Sequence, residues 1–425
     1  MPDPINDLIP HFDPVDPRSV VERARRRRRT TLGTVAVVIT VALAVILVPT
    51  VAVPSLAGRT ARPAEVTMAT PSTLPSVAST PPRSATSGPV GACGLTALPA
   101  AWKAALKPAA LTPASNVAML ARDATTGRAL YGRFASPTAG PSPTTVSVVE
   151  ASGAERKLFD LSADEQAFAG AIEGDWAAVT VGSIDGFTVT GVYARRVTGG
   201  DLVTVAVRAA DFSSGPITGT PVLYRGVVYL QTGSSILATP TASLVAVDLE
   251  GRQVRRQEVP RQGSPTMVRW GDALVWTSST KAPVMASLST LGVVEVPSRL
   301  ASLADAWWFS SDGQTIAWEG NGATGGWLRA ADVGAVAARE ISFSTPITNP
   351  GMTSWGRYAT LLVADREWIV DLETGQYAPL TIAWGTAVVA GGRLATSEMA
   401  TQKGGSAGLY ELDLTKVAPL PACTR

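Results

Sequence analysis

The chain has 425 residues, 46% of them hydrophobic and 16% charged, with two cysteines and one histidine. This apolar share excludes wholesale disorder, the cysteine count excludes a disulfide-dense scaffold, and His11 is the one residue through which imidazole chemistry can run. The net charge of +2 is unevenly placed: seven of the 36 basic and five of the 34 acidic residues lie in 1–58, so 59–425 carries 29 of each and has no basic excess for nucleic acid.

Residues 1–30 form a short cytoplasmic tail with prolines at 2, 4, 10, 14 and 17, too short and Pro-rich for a folded domain. It ends in the run Arg25, Arg26, Arg27, Arg28 and Arg29, after which no charge appears until Arg59. The segment 31–54 is predicted to be a single transmembrane helix. Its Ala/Val/Ile/Leu stretch from Leu32 to Val53 spans about 33 Å at 1.5 Å per residue, enough for a hydrocarbon core of about 30 Å. The arginines precede the span, so the positive-inside rule places the N-terminus in the cytoplasm. The competing expectation is a secretory signal cleaved near Ala57, but its apolar core is longer than the 7–15 residues such signals use. A helix over Ser19–Arg29, capped by Ser19, is either a docking element for a cytoplasmic partner or a continuation of the membrane helix. The zinc-containing anti-sigma arrangement needs a His/Cys cluster, and this tail has no cysteine.

Residues 55–92 read as a disordered, extracytoplasmic Pro/Ser/Thr-rich linker, semi-extended and able to hold the next domain up to ~100 Å from the bilayer. From Cys93 the character changes, and 93–425 is predicted to be one all-β domain holding all eleven Trp. One short helix is expected near Pro99–Ala110. A strand–turn–strand unit recurs at Val146, Leu244, Trp368 and Leu409, with weaker copies near Val192, Val284 and Trp327. A Gly/Asp turn and an apolar run precede most copies, as in Gly174-Asp-Trp-Ala-Ala-Val and Gly271-Asp-Ala-Leu-Val-Trp. Seven units at a spacing of about 44 residues match four-stranded blades, so a seven-bladed β-propeller is the expected fold, with six or eight blades left open.

The segment Ser310-Ser311-Asp312-Gly313-Gln314-Thr315-Ile316-Ala317-Trp318 resembles the SPDGxxIAF blade motif of TolB-type and WD40-like propellers. Ser311 stands for the proline and Trp318 for the final aromatic, so Ser311, Asp312, Gly313, Ile316, Ala317 and Trp318 are the blade-motif residues. The order of basic tail, span, linker, cysteine and propeller also resembles membrane-anchored propeller proteins of actinobacteria. That resemblance implies a layout and no reaction.

A propeller brings its chain ends together, so Cys93 and Cys423 are expected to form a structural disulfide, in the compartment where disulfides persist. His11 precedes the span, which leaves the exported domain without histidine. Serine-triad catalysis, imidazole zinc sites and histidine-ligated haem are thereby excluded there, and no nucleophile elbow, phosphate loop or EF-hand pattern is present. No catalytic or metal-binding residue and no cofactor is assigned. Carboxylates at blade turns (Asp175, Asp272, Asp305, Asp312) keep a glycosidase-type hydrolase open as an alternative. Trp176, Trp276, Trp318 and Trp368 are expected to wedge between blades rather than stack on a ligand. Gly320-Asn-Gly-Ala-Thr-Gly-Gly reads as a loop. The leading expectation is a plasma-membrane-anchored binding or scaffolding module facing a protein or cell-envelope partner, with membrane lipid contacted by the helix and no nucleic acid. A sensor signalling to the tail is the third option.

Overall fold

In the computed structural model the described residues are 90–108, 117–123, 125–134, 143–162, 165–183, 188–207, 217–232, 240–347, 351–363, 366–383, 387–397 and 409–421. The proposed cytoplasmic tail and span, with Arg25 to Arg29, lie outside them, as does Cys423. Among the described residues no helix is long and apolar enough to cross a membrane.

The described residues open with three two-residue strands, β1 (Val90–Gly91), β2 (Cys93–Gly94) and, after the helix α1 (Ala100–Ala105), β3 (Lys107–Pro108). The first blade is β4 (Val117–Arg122), β5 (Ala129–Phe134), β6 (Pro143–Val149) and β7 (Glu155–Asp160). The second is β8 (Glu165–Glu173), β9 (Trp176–Ser183), β10 (Thr188–Arg196) and β11 (Val203–Val207). The third is β12 (Ile217–Tyr224), β13 (Val227–Thr232), β14 (Thr241–Asp248) and β15 (Val254–Pro260). The fourth is β16 (Gln262–Trp270), β17 (Ala273–Ser278), β18 (Pro283–Ser287) and β19 (Val293–Val294).

A 3-10 helix, Ser298–Asp305, leads into the fifth blade: β20 (Trp308–Ser311), β21 (Thr315–Gly322), β22 (Gly325–Asp332) and β23 (Arg339–Ser342). The sixth is β24 (Met352–Trp355), β25 (Tyr358–Val363), β26 (Arg366–Asp371) and β27 (Gln376–Ala383). The chain ends on β28 (Ala387–Ala390), β29 (Arg393–Ser397) and β30 (Leu409–Asp413) of the seventh. The first strands touch in one cycle, β4 to β8, β12, β16, β20, β24, β28 and back to β4. That closed cycle fixes seven blades.

The recurrent sequence unit is the third and fourth strand with the turn between them. In Val247-Asp248-Leu249, Val370-Asp371-Leu372 and Leu412-Asp413-Leu414 the aspartate Oδ1 accepts backbone N–H groups two or three residues on, closing an Asx turn. The next residue, a leucine in each copy, is buried. Its N–H donates back to the turn before the second strand, at Gly226, Arg357 and Gly392 respectively. The Leu409 copy departs from expectation. Among the described residues none after Asp413 supplies a fourth strand, and β3, which precedes the first blade, pairs antiparallel with β30 instead. The two ends of the propeller are thus sewn into one sheet, and the missing strand is the closure itself.

The N-terminal strap begins inside the stretch read as linker. β1 adds parallel to β23 on the fifth blade and β2 adds parallel to β27 on the sixth. Covering these two outer edges removes exposed strand edges that would otherwise invite pairing with other chains. The expected helix is present but stops at Ala105, where the chain turns extended into β3. Trp102 anchors it, fully buried against Tyr358 and donating its Nε1–H to the Ala418 carbonyl at 2.8 Å. The glycine-rich run is not a loop: Asn321 pairs with Gly326 and Gly322 with Gly325 at the tip of the β21–β22 hairpin. Gly320 leaves room for the Trp327 ring, since a Cβ there would lie 2.3 Å from Trp327 Cζ2.

Candidate functional site

The blade motif joins two blades to a third. Ser311 Oγ accepts the Gly313 N–H, and Asp312 Oδ1 accepts the N–H groups of Gln314 and Thr315, both at 2.7 Å. Asp312 Oδ2 reaches across to the Gly356 N–H of the sixth blade, also at 2.7 Å. Gly313 has φ +90°, and its carbonyl accepts the Gly271 N–H of the fourth blade at 2.8 Å. A Cβ at Gly313 would stand 1.9 Å from the Arg269 guanidinium, the movable end of a flexible side chain, so it is the conformation that favours glycine there. Ile316, Ala317 and Trp318 are fully buried in β21. Asp123 repeats the device in the first blade, its Oδ1 on Thr125 N–H and its Oδ2 on the Gly174 N–H of the second.

The four candidate carboxylates sit at element ends, Asp272 and Asp312 on turns joined by the bond from the Gly271 N–H to the Gly313 carbonyl. Asp175 lies beside β9 facing Arg128 at 3.5 Å, Asp272 immediately precedes β17, Asp305 ends the 3-10 helix, and Asp312 is committed to the fifth-to-sixth blade contact. Among the described residues no group of three His, Cys, Asp or Glu is placed to hold a metal. Trp176, Trp276 and Trp318 sit in the buried clusters between blades. Trp276 donates to the Pro260 carbonyl and Trp318 to Ser302 Oγ. Trp368 is half-buried, edge-on to Tyr377 with ring centroids 5.2 Å apart. Cys93 lies in β2 opposite Gln376.

Among the described residues, a concave feature with charge inside it lies where the ring closes. A cavity of about 630 Å³ opens between the seventh and first blades, roofed by alanines of α1 and by β3, and floored by Arg122, Tyr131, Arg393 and Glu411. Glu411 is the hub. Its Oε1 accepts from Arg122 Nη2 and from the Tyr131 hydroxyl at 3.3 Å, and its Oε2 accepts from Arg393 Nη1 at 3.2 Å. Two guanidinium groups thus share one carboxylate. The Arg122 side chain is only 5% exposed, yet its Nε and Nη1 have no hydrogen-bond partner. Burial first, and then the Glu411 charge, push the Tyr131 phenol well above its ordinary value, so it stays a neutral donor.

The remaining charges on the rim are mostly paired. Glu150 binds Arg128 at 2.7 Å, and Asp413 binds Lys416 at 2.9 Å. Burial works against the Asp413 charge, but hydrogen bonds from Thr415 and Lys416 prevail and hold its carboxyl below the ordinary value. Among the described residues no carboxylate pairs with Lys107, which is exposed at the mouth. Sequence reasoning missed this site because its two central partners stand 289 positions apart.

No family model matches the chain, and no curated protein matches it. Solved propeller structures do resemble it in outline. A catalytically inactive virginiamycin B lyase from Staphylococcus aureus, solved with quinupristin, aligns at 11% identity over 72% of this chain and 98% of that one, with a TM-score of 0.47. Apo AztD from Citrobacter koseri aligns at 14% identity over 71% and 83% of the two chains, with a TM-score of 0.44. The computationally designed Ika8 protein aligns at 11% identity over 67% and 82%, with a TM-score of 0.43. At these values the likeness carries no argument about ligand or reaction.

Proposed function

We propose that this chain is a membrane-tethered, TolB/WD40-like propeller that works outside the membrane as a binding or scaffolding module for a protein or cell-envelope partner. The observation that supports binding over hydrolysis is the commitment of the turn carboxylates. Both oxygens of Asp312 are occupied by backbone N–H groups, and Asp175 faces the Arg128 guanidinium at 3.5 Å. A carboxylate-dependent hydrolase needs two such groups facing one substrate. The tether rests on the uncharged run 31–54 behind Arg25 to Arg29. Protease added outside intact cells is expected to remove the propeller and spare an N-terminal tag. Propeller found in the medium before any protease is added, or protection of it from the added protease, overturns the tethered topology.

The same reading includes the Cys93–Cys423 staple. Its support is the buried cluster that holds Leu98, Trp102 and Leu420 together, with Leu95 packed against it, so both ends of the propeller approach one another. Thiol alkylation of the denatured protein is expected to add no label before reduction and two labels after it. Two labels without reduction would remove the staple.

A further inference from the structure

A propeller turns the outer strand of every blade toward solvent, and short strands, bulges and covering segments discourage such edges from pairing with another chain. Most edges of this ring are protected in one of these ways. β1 and β2 cover the fifth and sixth blades, and the outer strands of the fourth and seventh, β19 and β3, are two residues long. In the first and second blades the outer ladder breaks register, between Val146 and Ser147 opposite β7 and between Val192 and Tyr193 opposite β11. β15 of the third blade has none of these protections. Its seven residues pair with β14 in unbroken register from Thr241 and Pro260 to Val247 and Val254, and Val254 to Glu258 are exposed. Among the described residues no strand is added to it. We infer that β15 is a self-association edge, on which β15 of a second copy of this chain adds antiparallel about a two-fold axis at Gln257.

The backbone decides which registers are open. The Asp248 N–H donates to the Gln253 carbonyl and the Arg261 N–H to the Pro240 carbonyl, both at 2.9 Å, so the odd-numbered residues of β15 turn their backbone groups to β14. Val254, Arg256 and Glu258 therefore turn theirs to the free edge. A copy centred on Gln257 meets them in hydrogen-bonded pairs, Arg256 opposite the partner's Glu258 and Glu258 opposite the partner's Arg256. Both unlike pairs lie on one face of the joined sheet, where directly opposed opposite charges stabilise. Pro260, which has no N–H to donate, falls at the end of the ladder and offers its carbonyl to the partner's Val254. Centring the pair on Arg256 instead would set two arginines against each other. Arg255 does not interfere, because its guanidinium donates to the Ser289 and Leu288 carbonyls of the fourth blade. An edge of seven residues is small against the roughly 800 Å² per partner of a standard interface, so the association is reversible and concentration-dependent.

Sedimentation velocity on the full-length protein in detergent, over a concentration series, tests the pairing. A monomer–dimer equilibrium is expected, weakened roughly tenfold or more in Arg256→Glu, which opposes like charges at two places, and restored in Arg256→Glu/Glu258→Arg. Both residues are exposed, so these variants keep the fold. Gln257 lies on the axis at a non-hydrogen-bonded position, where facing Cα atoms stand about 4.5 Å apart, within reach of a disulfide. Mild oxidation is therefore expected to link Gln257→Cys into a reducible dimer and to leave the wild type and Arg255→Cys unlinked. A monomer at every concentration leaves this edge to a strand of another protein and overturns self-pairing. A dimer that Arg256→Glu leaves intact, that charge exchange does not restore, or that Gln257→Cys does not trap overturns it as well. Self-pairing goes beyond the binding reading and stands or falls without it, since the protease experiment is blind to oligomeric state.

Discussion

Replacing Glu411 by glutamine is expected to destabilise the propeller by about 3 kcal/mol, because it strands a buried guanidinium. Arg122 is 5% exposed, and its Nη2 donates to Glu411. The bond crosses the seam, joining β4 of the first blade to β30 of the last, so the loss falls on ring closure. Arg393→Gln is the control. That side chain is 36% exposed and shares the same carboxylate, and a solvent-screened pair of this kind is worth under ~1 kcal/mol. Chemical denaturation at neutral pH should therefore rank Glu411→Gln far below Arg393→Gln, which should lie near the wild type. Equal midpoints for the two variants would show that Arg122 recovers its hydrogen bonds from water and that the seam does not depend on this pair.

The fold was legible in the sequence to the extent that each blade repeats a local physical problem. Asp248, Asp371 and Asp413 announce the turn between third and fourth strands because an Asx turn needs an aspartate there, and the leucine after each must be buried. Gly313 and Asp312 announce the turn between the first two strands for reasons that reach into both neighbouring blades. What repeats locally could be read. The closure could not, because β3 is two residues, Lys107–Pro108, with no apolar alternation, and its place beside β30 is dictated by the ring as a whole.

The site was hidden for a related reason. Arg122 ends an ordinary strand and Glu411 lies inside another, and neither residue belongs to a pattern within its own blade. Only the meeting of first and last blades turns them into a pair. The turn aspartates were visible for the opposite reason, since their recurrence marks a structural duty, and Asp312 performs it with both of its carboxylate oxygens. In a propeller, recurrence points to the scaffold. A charged residue without a counterpart in other blades is the better guide to function.

Glu319 is the second residue of that unmatched kind, and its expected signature is a stability that falls as pH rises. It comes directly after Trp318 in β21, where every residue from Thr315 to Gly320 is buried, and its own exposure is 0%. Its Oε1 accepts the Gly351 N–H at 2.9 Å and its Oε2 has no partner. Burial pushes its carboxyl up to about 7, with the Gly351 N–H pulling the other way. The folded state therefore holds a proton that the unfolded chain, with an ordinary carboxyl near 4.5, releases. Stability from this group is fully present below about pH 4.5 and is lost progressively up to about pH 7, a total of about 3 kcal/mol. Glu319→Gln keeps an acceptor for Gly351 and removes the titration. The variant is expected to match the wild type near pH 4.5 and to exceed it by about 3 kcal/mol at pH 8, as read from denaturant midpoints at the two values. Parallel wild-type and variant curves across that range would mean that Glu319 is hydrated and ionised in the folded protein.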